Sequence, residues 1–406
     1  MATSGRDGAQ GRPVVRHVDD DERRARLGVR HALAAPRATP EEVAVALVVL
    51  HATDPGSVHL SCWARMPDGV DVVAEVDRAL ATDRTLVKQL AMRRTLFAAP
   101  RDLLGALWPS AAARVARTEG LRMAQDVERA GLADDGQVWL GRARAAVLAA
   151  LADEPDGLLA LQVRQRVPEL QVRLDVAPSA SWTGSRVLTH LGATGDVLRG
   201  RNEGGWRTSR PRWLPTAAWL DPVGGPPPVL DAAAGYRELV RRWLAAFGPG
   251  TEEDVVWWLG ATKAAARQAL DELGAVVVTL DGDRLGWLLP DDVDPVGAAD
   301  PWVALLPVLD PTVMGWKGRG WYLGDLGPQL FDRNGNAGPT AWVDGRVVGG
   351  WTRGPSGELR LHLLVPVADD ARRGLVAQAE RLGALLEGTE GSGVITTPLG
   401  RAAAPG

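Results

Sequence analysis

From residue 21 the polar and apolar positions follow a helical spacing. DERRARLGVRHAL predicts one helix, Ala35-Pro36 breaks it, and Thr39-Pro40-Glu41-Glu42 opens the next. Thr39 suits an N-cap, Pro40 the first helical position, and Glu42 the acid of a capping box. The run that follows, to about Leu50, is apolar on nearly every side, the pattern of a buried helix. It ends abruptly in His51, Thr53 and Asp54 before Pro55, and Asp54-Pro55 repeats the start signal for a helix through Ala64. Residues 76–108 read as helix, turn, short strand over 94–98, then helix. Residues 1–20 are polar and expected to be disordered.

Two stretches then share one layout. Residues 140–220 give three helices and a hairpin with a Gly-rich tip; residues 236–290 repeat that order, with N-caps at Thr251 and Thr262 and an Asp281-Gly282 hairpin signal. Three helices followed by a β-hairpin is the winged helix-turn-helix plan. After residue 300 the pattern alternates as strands, with a hairpin at Val343-Asp344-Gly345-Arg346 and one closing helix over 370–386. The expected class is α+β: tandem winged helix-turn-helix units, three in number, and a β-rich C-terminal region. The expected boundaries are 1–20 (disordered), 21–135, 136–222 and 230–292 (winged-helix units), 300–390 (β-rich region) and 391–406 (tail).

Composition narrows the class. Of 406 residues, 46% are hydrophobic and 24% charged, as in globular proteins with more than one core. No apolar run is long enough for a membrane span and the N-terminus lacks an apolar signal core, so a cytoplasmic protein is expected. The single cysteine, Cys62, leaves no internal disulfide, and the six histidines show no metal-ligand spacing, so neither metal nor cofactor is expected. The net charge of −4 is unpromising for a nucleic-acid partner, yet only three lysines occur, Lys88, Lys263 and Lys317. The positive charge is almost all arginine, which suits bidentate phosphate and base contacts.

Three basic points follow. The first hairpin interleaves Arg199, Arg201, Arg207, Arg210 and Arg212 with Trp206 and Trp213, suiting phosphates and bases, and the preceding helix offers Ser185 and Arg186 in the recognition position. The plain alternative is a solvated hairpin whose tryptophans complete a core. Arg93 and Arg94 form the second point; they either meet DNA or tie a helix end to an acid such as Asp83 or Asp102. The third is Gly315-Trp316-Lys317-Gly318-Arg319-Gly320-Trp321, a candidate phosphate clamp. His51, Thr53 and Asp54 have two readings as well. Either His51 complements a helix C-terminus and Asp54 caps the next helix, or the three form a compact reaction centre. In that centre His51 relays a proton, Thr53 holds a water and Asp54 stabilises positive charge on a sugar.

Taken together, these stretches resemble the bacterial winged-helix DNA glycosylases of the AlkZ and YcaQ type, over about residues 21–386. In that family an apolar helix leads into Gln-x-Gln or Gln-x-Asp, shortly before an arginine that closes the next helix. Here LVVLHATDPGSVHLSCWARM takes that place with Arg65 as the closing arginine, which adds Arg65 to the candidate DNA contacts. Residues 93–97 correspond to the family's Arg-Gly-Thr-Leu-His-like stretch. PVLDPTVMGWKGRG and NGNAGPTAWVDGRVVGGW resemble its C-terminal signature. His51 and Thr53 replace the family's motif residues, and a carboxylate follows one step later at Asp54. The resemblance implies a monofunctional DNA repair glycosylase acting on alkylated or bulky-adducted purines, crosslinks included, as a monomer wrapped around lesion-bearing double-stranded DNA at the nucleoid. Self-resistance to a DNA-damaging antibiotic is one setting for such an enzyme. The altered motif leaves a second reading open, a non-catalytic winged-helix DNA-binding protein serving as regulator or lesion sensor; a third is a relic whose basic wing binds nothing specific.

Overall fold

A computed structural model describes residues 11–174, 181–354, 356–389, 395 and 397–403. The chain forms two compact units, one of Met1–Val76 with Arg237–Gly406 and the other of Asp77–Tyr236. The expected first unit, 21–135, is therefore not one body. Its first half packs with the C-terminal residues through ion pairs, Arg26 with Asp292 and the fully buried Arg65 with Asp310, that sequence spacing does not announce.

In the first unit, Val14–Val18 is a strand pairing in parallel with Val276–Leu280, which pairs antiparallel with Arg284–Leu288. The expected disorder of residues 1–20 is thus corrected for 14–18, because Val18 seals a small core with Val278, Leu280 and Leu288; residues 1–10 lie outside the described residues. Helices Ala232–Phe247 (its first turn belonging to the other unit), Glu252–Leu259 and Lys263–Glu272 precede that hairpin. Thr251 and Thr262 cap the second and third through their hydroxyls, as their positions predict. A four-stranded antiparallel sheet follows, Val303–Leu306, Thr340–Val343, Arg346–Arg353 and Leu359–Leu363. Asp344 and Gly345 both take positive φ (46° and 82°) in its two-residue turn, the conformation that makes Asp-Gly a hairpin signal. Helix Asp369–Leu386 packs on this sheet, and Gln378 both donates to the Val303 carbonyl (2.8 Å) and accepts from the Leu305 amide (3.0 Å). Of the expected tail, helix Pro398–Ala403 is described.

Helix Asp20–Arg30 shows where much of the arginine goes. Arg23, Arg24 and Arg26 are buried. Arg23 lies over the Trp321 ring at 4.1 Å, where burial pulls its guanidinium down to about 10 against the opposing pull of Asp20. Arg26 meets Glu22 at 2.8 Å and Asp292 at 2.9 Å. These cations are internal struts, so the composition overstates the positive surface.

The second unit contains a hairpin, Leu86–Ala91 with Thr95–Pro100, where a single short strand is expected at 94–98. It continues through helices Ala113–Arg129, Gly136–Ala152, Ala160–Arg166 and Thr183–Thr194 into hairpin Val197–Asn202 with Pro211–Pro215. Leu158–Leu159 adds a third strand to that hairpin. Val147, Val163, Val187, Leu191 and Trp213 are among the residues of the core beneath it. Trp213 thus does complete a core, as the plainer reading of the wing holds. Among the described residues no helix is long and apolar enough to cross a membrane.

Candidate active site

The helix opened by Thr39 stops at Ala46, four residues short of its expected end. Four bulky apolar residues follow, Leu47 to Leu50, and Val48 turns the chain at φ 65°, a left-handed conformation that a valine adopts only under constraint. Leu47, Val48, Val49 and Leu50 are all buried. His51 therefore lies on a two-residue strand, Leu50–His51, and not at a helix C-terminus, so its helix-dipole role is corrected. The next helix is Ser57–Trp63, and its N-cap is Gly56. Asp54 serves the turn before it: Oδ1 accepts the Gly56 amide at 3.1 Å and faces the Ser57 hydroxyl at 3.4 Å. The Ser57 hydroxyl donates to the Val308 carbonyl at 2.8 Å, which ties the turn to the segment that follows strand Val303–Leu306. His51 and Asp54 are 5% and 7% exposed. Thr53 between them is exposed. Two ionisable groups thus stand just beneath the surface, in a setting where charge acts strongly, beside a hydroxyl open to solvent.

Arg65 stands where the resemblance predicts an arginine, but it does not face a ligand. It and Asp310 are both 0% exposed and joined at 2.7 Å by a second guanidinium nitrogen and at 2.9 Å by the first. Its Nε donates to the His31 carbonyl (2.8 Å), and its other nitrogens to the Ser61 carbonyl (2.9 Å) and the Thr312 hydroxyl (2.8 Å). Asp310 also accepts from the Ser61 hydroxyl (2.7 Å) and the Thr312 amide (3.0 Å). Arg65 is therefore removed from the candidate DNA contacts: a guanidinium so enclosed has no donor left for phosphate. Burial alone would raise the Asp310 carboxyl, yet Arg65 and the hydrogen bonds hold it below the ordinary carboxylate range. Asp310, which sequence reasoning passed over, is the Asp of PVLDP; its only signal is an acid followed by proline after an apolar strand. The pair fixes the C-terminal end of the helix that begins beneath Asp54.

Among the basic points, loop 315–321 is not a phosphate clamp as folded. The Lys317 and Gly318 amides donate to Asp254 Oδ1 at 2.8 and 2.9 Å, so an internal carboxylate fills the place an anion would take. Lys317 Nζ meets Glu253 at 2.5 Å, and Arg319 is packed over Trp257 and Phe331 at 5.0 and 4.7 Å. Arg186 is likewise held, 2.7 Å from Asp126 with its side chain 16% exposed, which corrects its phosphate role. Ser185 remains exposed and donates to the Trp182 carbonyl at 2.8 Å.

On the wing, Arg201 and Arg210 are exposed, the latter 3.7 Å from Glu203. Arg207 lies beside Trp206 at 6.0 Å. Arg199 is half-buried over Trp213 at 5.0 Å, not presented at the tip. Arg93 and Arg94 sit at the tip of hairpin Leu86–Ala91/Thr95–Pro100, both with positive φ (54° and 60°). Arg94 meets Glu119 at 2.9 Å, not Asp83 or Asp102, and its side chain is 57% exposed. Left-handed backbone favours glycine, the residue the family resemblance places at Arg94. Because Glu119 is buried and loses this partner in either variant, Arg94→Gly is expected to be more stable than Arg94→Ala by about 0.5–1 kcal/mol in urea titrations, the relief of the left-handed backbone alone.

Comparison with known proteins places these features in a family. The profile described as DNA glycosylase AlkZ-like matches residues 44–385. Among solved structures, the fold is similar to the DNA glycosylase AlkZ of Streptomyces sahachiroi, with a TM-score of 0.70 and 19% sequence identity over 91% of this chain and 97% of that one. No curated protein matches the chain.

Proposed function

The chain belongs to the DNA glycosylase AlkZ-like family, and from that premise we propose that it hydrolyses the N-glycosidic bond of alkylated or bulky-adducted purines in double-stranded DNA. The observation that carries this reading is the position of Asp54: buried, braced by the Gly56 amide, and next to the exposed Thr53. An N3- or N7-alkylated purine is cationic and leaves readily. As the C1′–N bond breaks, its electron pair neutralises the purine ring and positive charge grows on the sugar. Asp54 offsets that charge, most effectively where water is excluded. Thr53 orients the attacking water, whose oxygen bonds to C1′, and His51 takes the proton released. No metal or cofactor enters the scheme, and the enzyme is monofunctional and monomeric in this reading.

Three helices and a hairpin at 136–215, and again at 232–288, support two winged-helix units that would follow the DNA backbone at the nucleoid. The first, divergent unit expected over 21–135 is divided between the two compact units and is not part of the proposal. Arg93, Arg94, Arg201, Arg207, Arg210 and Ser185 are the proposed backbone contacts.

The altered motif, with His51 and Thr53 in the family's glutamine positions, favours one rival reading, a DNA-binding protein without catalysis. Incubating the protein with a duplex containing one 7-alkylguanine, then treating with alkali, separates them. Strand breaks at the lesion above the spontaneous level are expected. Binding to the duplex without breaks would leave the rival standing.

A further inference from the structure

Lys88 is one of the chain's three lysines and stands in the middle of strand Leu86–Ala91, opposite Ala98. With Arg199 of strand Val197–Asn202 it lines a narrow cleft of about 10 Å³, closed by Thr189 and Gly192 of helix Thr183–Thr194 and by the Trp213 ring. Several half-buried arginines of this unit meet acids, Arg186 with Asp126, Arg144 with Asp196 and Arg212 with Glu203, and others meet carbonyls, Arg84 with Trp219 and Arg101 with Val223. Lys88 and Arg199 do neither. Among the described residues neither makes an ion pair or a side-chain hydrogen bond; Asp77 acts on Lys88 only at a distance. Two adjacent cations with no acid between them form a positive concavity that the folded chain leaves uncompensated.

We propose that Lys88 and Arg199 form a phosphodiester subsite, the cleft receiving a non-bridging oxygen of one DNA backbone phosphate. The size of the cleft selects this occupant. About 10 Å³ is the room of one water-sized atom, which admits a phosphate oxygen and excludes a sugar or a base. Arg201, exposed two residues further along the Arg199 strand, extends the positive strip in the direction a backbone would run. The assignment rests on the DNA reading above and deepens it.

The electrostatics supply a signature. Burial, and then the charge of Arg199, lower the Lys88 ammonium to about 8, with Asp77 opposing; burial alone lowers Arg199 to about 10. A phosphate in the cleft favours both charged forms. Near pH 8.5 the free protein holds Lys88 largely neutral, so binding a duplex there takes up a proton. The sign for folding is the reverse of a stabilising lysine. The cost of the charged form is present below pH 8 and is relieved as pH rises from 8 towards 10.5.

The test compares wild type with Lys88→Met, Lys88→Arg and Arg199→Met on a short undamaged duplex. Fluorescence anisotropy over a salt series and calorimetry near pH 8.5 in two buffers of different ionisation enthalpy are the readouts. Lys88→Met is expected to weaken binding equally for all sequences and to flatten the log K against log salt slope by about 0.9, the contribution of one phosphate. Its proton uptake should vanish and its melting temperature should not fall. Lys88→Arg should restore the slope without the uptake. An unchanged slope in Lys88→Met, with wild type binding normally, overturns the subsite and leaves the glycosylase reading intact. A lowered melting temperature with unchanged affinity marks a structural lysine and overturns it too. If wild type binds no duplex, the glycosylase reading and the diester occupant fall together; stabilisation by inorganic phosphate that Lys88→Met abolishes would then reassign the cleft to free phosphate.

Discussion

Arg65→Met is expected to destabilise the protein by about 3–5 kcal/mol, with the loss read as a lower urea midpoint at unchanged slope. Both members of the pair are fully enclosed. Removing the cation leaves Asp310 buried with only the Ser61 hydroxyl and the Thr312 amide as donors, and a lone buried charge is far costlier than a pair. The double variant Arg65→Met/Asp310→Leu should recover a large part of the loss, since a packed apolar pair often substitutes for a buried ionic one. If Arg65→Met were neutral, the enclosure described for this pair would be wrong.

The same network sets an acid limit. His31 donates from Nε2 to the Ala246 carbonyl (3.1 Å) and accepts at Nδ1 from the Thr312 hydroxyl (2.9 Å), which itself accepts from Arg65. That chain of donors requires a neutral imidazole. Burial, then the charge of Arg65, push His31 down to about 3. The unfolded chain takes up that proton near 6.5, so stability is lost as pH falls from about 6.5 towards 3. Asp310, held below the usual range, adds to the loss as pH falls below its unfolded value. A urea midpoint constant from pH 7 to pH 4 would contradict the neutral assignment of His31.

How much of this the sequence announces depends on range. Caps do well: Thr39, Thr251 and Thr262 each accept the amide three residues on, because that contact is local and chemically specific. The Asp344-Gly345 turn is legible for the same reason. The conformation of the motif is not. An apolar run with four valines reads as buried helix or buried strand alike, and only packing decides that Val48 turns left-handed and that His51 ends on a strand. Long-range pairing is invisible to periodicity. Nothing near Arg65 indicates that its partner lies 245 residues away, and the loop at 315–321 has the composition of a phosphate clamp only while Asp254 is unknown to fill it. Lys88 was missed because a lysine in an apolar strand looks like a solvated edge position; its meaning comes from Arg199, more than a hundred residues on.

Asp54→Asn is expected to lower excision of a cationic alkylpurine by about 10²–10³-fold in single-turnover experiments, the usual scale for removing one electrostatic stabiliser of a transition state. Asparagine keeps an oxygen for the Gly56 amide, so the turn should survive and stability change by no more than about 1 kcal/mol. The variant removes charge while retaining shape. Duplex affinity should therefore remain, and the loss should appear in the chemical step rather than in binding. His51→Ala should slow the same step through proton transfer, by about 10²-fold or more, and should flatten any pH dependence that wild type shows on the acid side. The contrast between substrates sharpens the test. A lesion whose purine is already cationic needs no protonation, so Asp54 should dominate; a neutral adduct needs help leaving, and both residues would then matter. Equal excision by wild type and Asp54→Asn would return this carboxylate to the service of a turn, with the chemistry to be sought elsewhere in the chain.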